Sequence, residues 1–241
     1  MYIDIGGTYL RFAKLKNGTF YILKKERHNK TNKIKLKKHL EEIINYRKTK
    51  GISYAGIILK ETKKSKIIYL PNLRIRLRIS KKIISENDAN LIALAHKKIG
   101  KIVVVLVIGT GIGLGVWHKD KLLDGNFGEI GHIKIKNKEL ETLILSKLKK
   151  TNFENLNRKE KEQFFKSIAE LIENLFYVFF FDELVLHGAI GKIIFENRKN
   201  RIFKKTFINI KQKFNKSIKV ALSKESDVFK GLKILEKTKK N

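Results

Sequence analysis

Residues 1–8 read Met-Tyr-Ile-Asp-Ile-Gly-Gly-Thr, a short apolar strand that runs straight into two glycines and a hydroxyl, with Asp4 as its only acid. Two glycines at a strand end let backbone amides approach an anion closely, so Gly6, Gly7 and Thr8 could cradle phosphate oxygens. Asp4 could hold a hydrated magnesium ion over the same anion. Taken alone, the stretch could equally be an ordinary hairpin turn, since glycine pairs close many of those. A second glycine-rich turn, Gly109-Thr110-Gly111-Ile112-Gly113, also follows a strongly apolar run, and between the two lies Glu86-Asn87-Asp88-Ala89-Asn90. Two phosphate-type turns flanking a candidate base point to phosphoryl transfer.

Working outward, Lys16-Asn17-Gly18-Thr19 predicts a hairpin, because Asn-Gly is the strongest short signal for one. Residues 33–48 place Leu36, Leu40, Ile43 and Ile44 on one helical face. Short strands are expected at about 53–59, 66–70 and 82–85. Asn87 or Asp88 can cap a helix running to Lys98, with Leu91, Ala95 and Ile99 as its buried stripe and Gly100 as its stop. Residues 101–108 are continuously apolar after Lys101, as in a strand covered on both faces. A strand over Leu114–His118 follows the second turn, then a loop from Gly125 to His132. Helices are expected at about 139–149 and 157–181, the latter with Asn157 and Glu160 at capping-box spacing. A short strand, Leu184–Leu186, ends at Gly188. A helix near 200–214, a strand at 217–222 and a last helix from about 225 complete the pattern. Strands first, then strands mixed with long helices, predict two α/β lobes of similar plan. The smaller would hold residues 1–88 and 224–241 and the larger 89–223, each a mixed sheet flanked by helices around a central cleft.

The 241 residues are 42% hydrophobic, which is a globular rather than a disordered composition. Asp4 and two glycines interrupt the N-terminus before any apolar core segment forms, so no signal peptide is expected. The apolar stretch Ile102–Trp117 carries four glycines and reads as two strands and a turn rather than a membrane span. Cysteine is absent, which excludes disulfides and thiolate metal sites. A cytoplasmic location is the expectation. The net charge of +31 would suit an anionic partner such as nucleic acid. The lysines are spread along the whole chain, including 237–240, without the basic-aromatic interleaving of a single-strand binder. Lysine, isoleucine and asparagine are abundant while proline occurs once, and codon bias is the favoured explanation over a nucleic-acid partner.

Asp88 is the candidate general base: a hydroxyl attacking a phosphate needs a carboxylate within reach to take its proton. Its alternative is a plain helix cap. Asn87 beside it can donate to and accept from neighbouring hydroxyls. Gly128-Glu129-Ile130-Gly131-His132 puts an acid and an imidazole three apart on a glycine-rich segment, able to face one cavity or to stand in solvent. Zinc at His132 is not expected without cysteines. The second glycine turn is followed by a strand, which argues against a dinucleotide fingerprint and for a phosphate-cradling hairpin. The run Phe176–Phe181 reads as a helix face in the core.

In this order the segments resemble the ROK family of sugar kinases, within the actin-like ATPase superfamily of two-lobed, ribonuclease H-like folds. The resemblance is carried by Asp4–Thr8, Pro71-Asn72-Leu73, Glu86–Asn90, Gly109–Gly113 and Gly128–His132. It implies ATP with magnesium, and phosphorylation of a hexose or an N-acylated hexosamine, at the 6-hydroxyl if the substrate is a hexose. Gly6, Gly7, Thr8, Arg11, Gly109, Thr110, Gly111 and Gly188 would serve the nucleotide, and Asp4 the magnesium through water. Asn87, Glu129, His132 and Glu141 would orient the sugar, and Asp88 would take its proton. Sugar and ATP are the implied partners, with no membrane, and a homodimer stays open. Three departures stand out. The cysteine-rich zinc loop of the family is missing, an early sugar loop is replaced by Leu59-Lys60-Glu61-Thr62-Lys63, and a glycine triplet near the adenosine reads His187-Gly188-Ala189. They motivate an alternative, a nucleotide- or sugar-binding regulatory protein with weakened catalysis. Repressors of the family carry a helix-turn-helix ahead of the first phosphate motif, which here begins at residue 4.

Overall fold

The computed structural model describes residues 1–123, 125, 127–135 and 137–238, without the Phe127 side chain; Asn126, Lys239, Lys240 and Asn241, included in the ranges above, lie outside the described residues. The chain opens with an antiparallel meander of β1 (Tyr2–Ile5), β2 (Tyr9–Lys16) and β3 (Thr19–Arg27), whose second turn is the expected Asn17-Gly18. Helix α1 (Lys33–Ile44) crosses to β4 (Gly51–Tyr54), which runs parallel to β1. A small antiparallel sheet, β5 (Ile57–Glu61), β6 (Ser65–Leu70) and β7 (Ile75–Ser80), precedes β8 (Ile84–Asn87), which is parallel to β4. The first main sheet is therefore ordered β3-β2-β1-β4-β8.

After α2 (Asp88–Ala95) the plan repeats. A meander of β9 (Lys101–Ile108), β10 (Ile112–Lys119) and β11 (Lys121–Leu122) is followed by a small ribbon, β12 (Lys134–Ile135) and β13 (Lys138–Glu139). Helices α3 (Leu140–Leu145) and α4 (Arg158–Phe179) lead to β14 (Glu183–His187), parallel to β9. Helices α5 (Gly188–Glu196) and α6 (Arg201–Phe214) lead to β15 (Lys219–Leu222), parallel to β14, giving the order β11-β10-β9-β14-β15. Helix α7 (Asp227–Thr238) closes the chain.

The apolar side chains gather in three cores. One joins α1 to the first main sheet and the small sheet, through Leu36, Leu40, Ile44, Ile52 and Leu77. A second lies between the other sheet and α3–α6, through Leu106, Leu114, Phe164, Ile168, Phe176 and Phe203. The third lies between the two sheets. There Leu91, Ile92, Ala93 and Leu94 of α2 and Val228, Phe229 and Leu232 of α7 meet Tyr2 and Ala13 on one side and Val103, Val105, Trp117 and Val185 on the other. Helix α2 is buried all round from Ala89 to Leu94, as befits a helix in such a place. Two glycines permit it: a Cβ on Gly115 would lie 2.2 Å from the Ala89 carbonyl oxygen, and one on Gly231 2.0 Å from that of Leu91. Strand β10 and helix α7 thus touch the backbone of α2 directly. Asp227 anchors the start of α7 by accepting from His96 Nε2 at 2.9 Å and from the Lys224 amide at 2.8 Å.

Several sequence expectations need correction. Helix α2 stops at Ala95, and Ile99, expected in its buried stripe, is 93% exposed. Segment 96–100 is drawn off the helix axis by His96 on Asp227, by Trp117 Nε1 donating to the Lys98 carbonyl, and by the Gly100 amide donating to Lys119. Helix α1 ends at Ile44, not near 48, because Asn45 caps it. Helix α3 is shorter than expected, ending at Leu145. Strand β7 and helix α5 were not foreseen. In the run Phe176–Phe181, Phe176 and Phe181 are buried, but Tyr177, Val178 and Phe180 face solvent where α4 turns out through a left-handed Phe180. Residues 59–63 are the exposed end of β5 and its turn.

Gly231→Ala tests the helix contact. In an ordinary helix interior this change stabilises by about 1 kcal/mol. Here the methyl must displace backbone, and a loss of about 2 kcal/mol is expected, a fall in Tm of roughly 4–8 °C by calorimetry. A rise in Tm would contradict the direct contact.

Candidate active site

Helix α2 carries the candidate base at its first position. Asn87, at the end of β8, is the N-cap: its Oδ1 accepts from the amides of Ala89 at 2.9 Å and Asn90 at 3.4 Å, and its Nδ2 donates to the Gly56 carbonyl at 3.1 Å. Glu86 Oε1 accepts from the Asn87 amide and from Asn90 Nδ2. The cap is therefore Asn87, and the Asp88 carboxyl, which also accepts from the Ala89 amide at 2.8 Å, reaches the cleft. Burial raises its proton affinity first and the Asp4 charge second, while the Ala89 amide and Arg11 oppose them, and its pKa stands at about 7. Asn87 is the exception among the expected sugar contacts: it is 6% exposed, capped into the fold and absent from the cleft wall.

The β1–β2 register sets Arg11 opposite Asp4, and its Nη1 donates to Asp4 Oδ2 at 2.7 Å. Its Nη2 lies 3.4 Å from Glu225 Oε1, which also accepts from Lys25 at 2.8 Å. Asp4 is 3% exposed, yet its Oδ1 has no partner, and neither does Thr8 Oγ1 or Arg11 Nε, all three buried. Unpaired buried groups of both signs around two glycines fit a phosphate with its cation. His28, which the sequence reading passed over, holds this turn from behind: its Nε2 donates to the Gly6 carbonyl at 2.9 Å and its amide to Thr8 at 2.9 Å. Burial lowers the pKa of this ring.

Opposite stands the β9–β10 hairpin turn with Gly109, Thr110 and Gly111. Beyond it the 3-10 stretch Phe127–His132, kinked at Glu129, brings Glu129 Oε2 to 3.3 Å from His132 Nε2. Glu141, 5% exposed at the start of α3, accepts from Lys149 at 3.0 Å. Burial, with Asp88 and Glu141 nearby, raises Glu129 to about 8, so at neutral pH it is a hydrogen-bond donor as well as an acceptor. His132, Glu139 and Glu141 offer one ligand atom each, all within 4.8 Å of one another, although the Lys149 ammonium already sits on Glu141. At the far end His187 Nδ1 meets Ser223 Oγ at 2.5 Å, and Gly188, at φ 87° and with a Cβ position 2.5 Å from the Ile108 carbonyl oxygen, starts α5.

One cleft of about 540 Å³ gathers these parts. Asp4, Gly6, Gly7, Thr8, Arg11, Asp88, Gly109, Thr110, Gly111, Glu129, His132, Glu141 and Gly188 all line it. So do His187, which the sequence marks as a departure in the glycine triplet near the adenosine, and Asn72, Lys25, Ser223 and Glu225, to which the sequence assigns no role. The signal for Asn72 was present, in the Pro71-Asn72-Leu73 stretch. The others become visible only when distant strand ends are brought together. Among the described residues no helix is long and apolar enough to cross a membrane.

Known proteins agree with this plan. The chain is 30% identical over 102 residues to a glucokinase of Streptomyces coelicolor, a match that covers 35% of this chain and about a third (32%) of that protein's length. The glucokinase of Balamuthia mandrillaris, solved with glucose, superposes with a TM-score of 0.72 at 13% identity over 98% of this chain and 92% of that one. A ROK family glucokinase from Streptomyces griseus, solved with glucose and AMPPNP, gives 0.63 at 15% identity over 95% and 96%. These likenesses establish the two-lobed, actin-like fold. A profile of the ROK family matches residues 1–143, more than half of the 241, and the chain belongs to that family.

Proposed function

We propose that this chain is an ATP-dependent sugar kinase that transfers the γ-phosphoryl group of ATP to a hydroxyl of a hexose, the 6-hydroxyl of glucose first among candidates. The observation that carries this reading is Asp88, a carboxyl with a pKa at about 7 in one cleft with two glycine turns. The sugar oxygen attacks the γ-phosphorus, the bond to the bridging β-γ oxygen breaks, and ADP leaves with that electron pair. The hydroxyl proton passes to Asp88. Asn87 serves as the cap that aims Asp88. The amides and hydroxyls of Gly6, Gly7, Thr8, Gly109, Thr110 and Gly111 receive the phosphates. Asp4 would hold magnesium through water, and the ion when bound offsets phosphate charge. Arg11, which lines the same cleft, would add positive charge near the phosphates. Glu129, His132 and Glu141 supply donors and acceptors for adjacent ring hydroxyls, and Gly188 with His187 faces the nucleoside.

The glucokinase likeness and the glucose-bound neighbours support the choice of sugar. Mannose and N-acetylated hexosamines are the next to test, because no thiolate zinc site pins the loop bearing His132. The reading places the protein in the cytoplasm, with ATP. A coupled assay with ATP, magnesium and a panel of hexoses and hexosamines decides between a kinase and a regulatory protein that binds without turnover.

Asp88→Ala is expected to lower kcat by about 100-fold or more while nucleotide affinity stays within about threefold; activity within about tenfold of the parent would contradict the assignment. Because only ionised Asp88 accepts the proton, kcat/KM for the sugar should climb with pH and level off above about 7. A flat profile from about pH 5.5 to 8 would count against it.

The same raised pKa costs stability. An unfolded aspartate titrates near 3.9, so the penalty is absent below that value and grows until pH passes the folded pKa at about 7. Asp88→Asn should therefore raise Tm at pH 8, by about 3 °C or more, and change it little at pH 4. An equal effect at both pH values would show that Asp88 does not carry this penalty.

A further inference from the structure

Asn72 lines the cleft, and the mechanism above leaves it without a task. It sits in the turn between β6 and β7, whose backbone is held by the Leu73 amide on Leu70, the Arg74 amide on Pro71, the buried Leu73 side chain, and Lys30 Nζ on the Asn72 carbonyl at 3.4 Å. The side chain is thereby directed between the two glycine turns. A Cβ on Gly7 would lie 3.1 Å from Asn72 Cβ and 3.2 Å from its Nδ2, and one on Gly111 would lie 3.2 Å from the same Nδ2. Thr110 Oγ1 and Glu141 Oε2 border the same space, at 2.7 Å from the Gly7 position and 2.8 Å from the Gly111 position. Among the described residues, the only hydrogen bond at Asn72 is the one its backbone carbonyl accepts. A carboxamide with two donor hydrogens, fixed at its base and unpaired at its tip, is placed for a ligand.

Resting on the kinase reading, we propose that Asn72 is a catalytic residue whose side-chain amide donates to an oxygen of the phosphoryl group in transfer. The neighbours decide the ligand: Gly7, Gly111 and Thr110 belong to the two phosphate turns, and the sugar-facing acid Glu141 lies beyond Gly111. An uncharged donor also suits the place. A lysine there would pair with Glu141, whereas an amide adds a hydrogen bond where phosphoryl charge spreads without adding a charge to the cleft. Because Asn72 comes from the small sheet of the first half and Gly111 from the second, the phosphoryl group would draw both halves onto itself.

Asn72→Asp keeps the shape and exchanges the donor for an acceptor of negative charge. Calorimetric titration with magnesium present should show AMPPNP, which carries a γ-phosphoryl group, binding at least tenfold more weakly to the variant. ADP, which lacks that group, should change less than twofold. With sugar, kcat should fall by about 100-fold, the size of losing one transition-state donor, and sugar KM should hold within twofold. Asn72→Ala, which adds no charge, should move the same quantities in the same direction by less, and circular-dichroism melts within a few degrees of the parent exclude a folding defect as the cause. Equal loss for AMPPNP and ADP, no loss for either, or a raised sugar KM with unchanged AMPPNP binding would overturn the proposal. An unmutated chain that binds AMPPNP but phosphorylates no sugar overturns the kinase reading while leaving the nucleotide contrast to be scored. A chain that binds no AMPPNP overturns both.

Discussion

The seat of α2 constrains everything else in this molecule. An eight-residue helix, buried all round from Ala89 to Leu94, is gripped between β10 of one sheet and α7 packed on the other. Its backbone carbonyls at Ala89 and Leu91 meet Gly115 and Gly231 at distances no side chain would allow. Close packing of this kind transmits position rigidly, because a core gives little to displacement. The N-terminal residue of the helix therefore cannot drift, and that residue is Asp88. Asn87 completes the arrangement by satisfying the first amides of the helix, which leaves the Asp88 carboxyl oriented toward the cleft. The repeated strand order places a hairpin turn from each sheet on either side of it.

The electrostatics of the cleft run against those of the protein. The chain carries a net charge of +31, yet Asp4, Asp88, Glu129 and Glu141 converge in one cleft. Arg11 compensates Asp4 and Lys149 compensates Glu141. Asp88 has no such ion pair and Glu129 has only the His132 imidazole at 3.3 Å, and both proton affinities rise. Such a cluster is costly to fold and useful for proton transfer, since a base works best when its pKa lies near the operating pH. The Arg11–Asp4 pair also shows how the first glycine turn is held together: the guanidinium occupies one carboxylate oxygen and leaves the other unpaired. The distributed positive charge outside the cleft would draw anionic nucleotides toward it at low salt.

Much of this was legible in the sequence, and the legible parts share a cause. The glycine turns, the Asn17-Gly18 hairpin, the continuous apolar strand β9 and the Asn157–Glu160 capping box are all decided by neighbours within a few residues. What escaped depends on distant partners. Strand β7 reads Ile-Arg-Leu-Arg-Ile-Ser, a clean alternation whose charged half looks like a loop until the small sheet pairs it. Ile99 seemed to continue a stripe, but β10 and α7 pull its segment away from the helix. Asp88 and Asn87 were both candidate caps by type, and it is the β4–β8 pairing, with Asn87 opposite Tyr54 and its Nδ2 on the Gly56 carbonyl, that assigns the cap to Asn87. His28 lies 22 residues from the carbonyl it supports, so nothing local marks it.

Everything proposed for the cleft depends on a carboxyl held by α2 in a place where ionisation is costly. Its most direct test is the titration of Asp88 itself, followed by NMR on carboxyl-labelled aspartate and assigned by the Asp88→Asn spectrum, with no ligand present. A resonance titrating at about 7 is the expected result. A resonance titrating near 3.9, the value of a solvated aspartate, would contradict the placement of Asp88 and the role built on it.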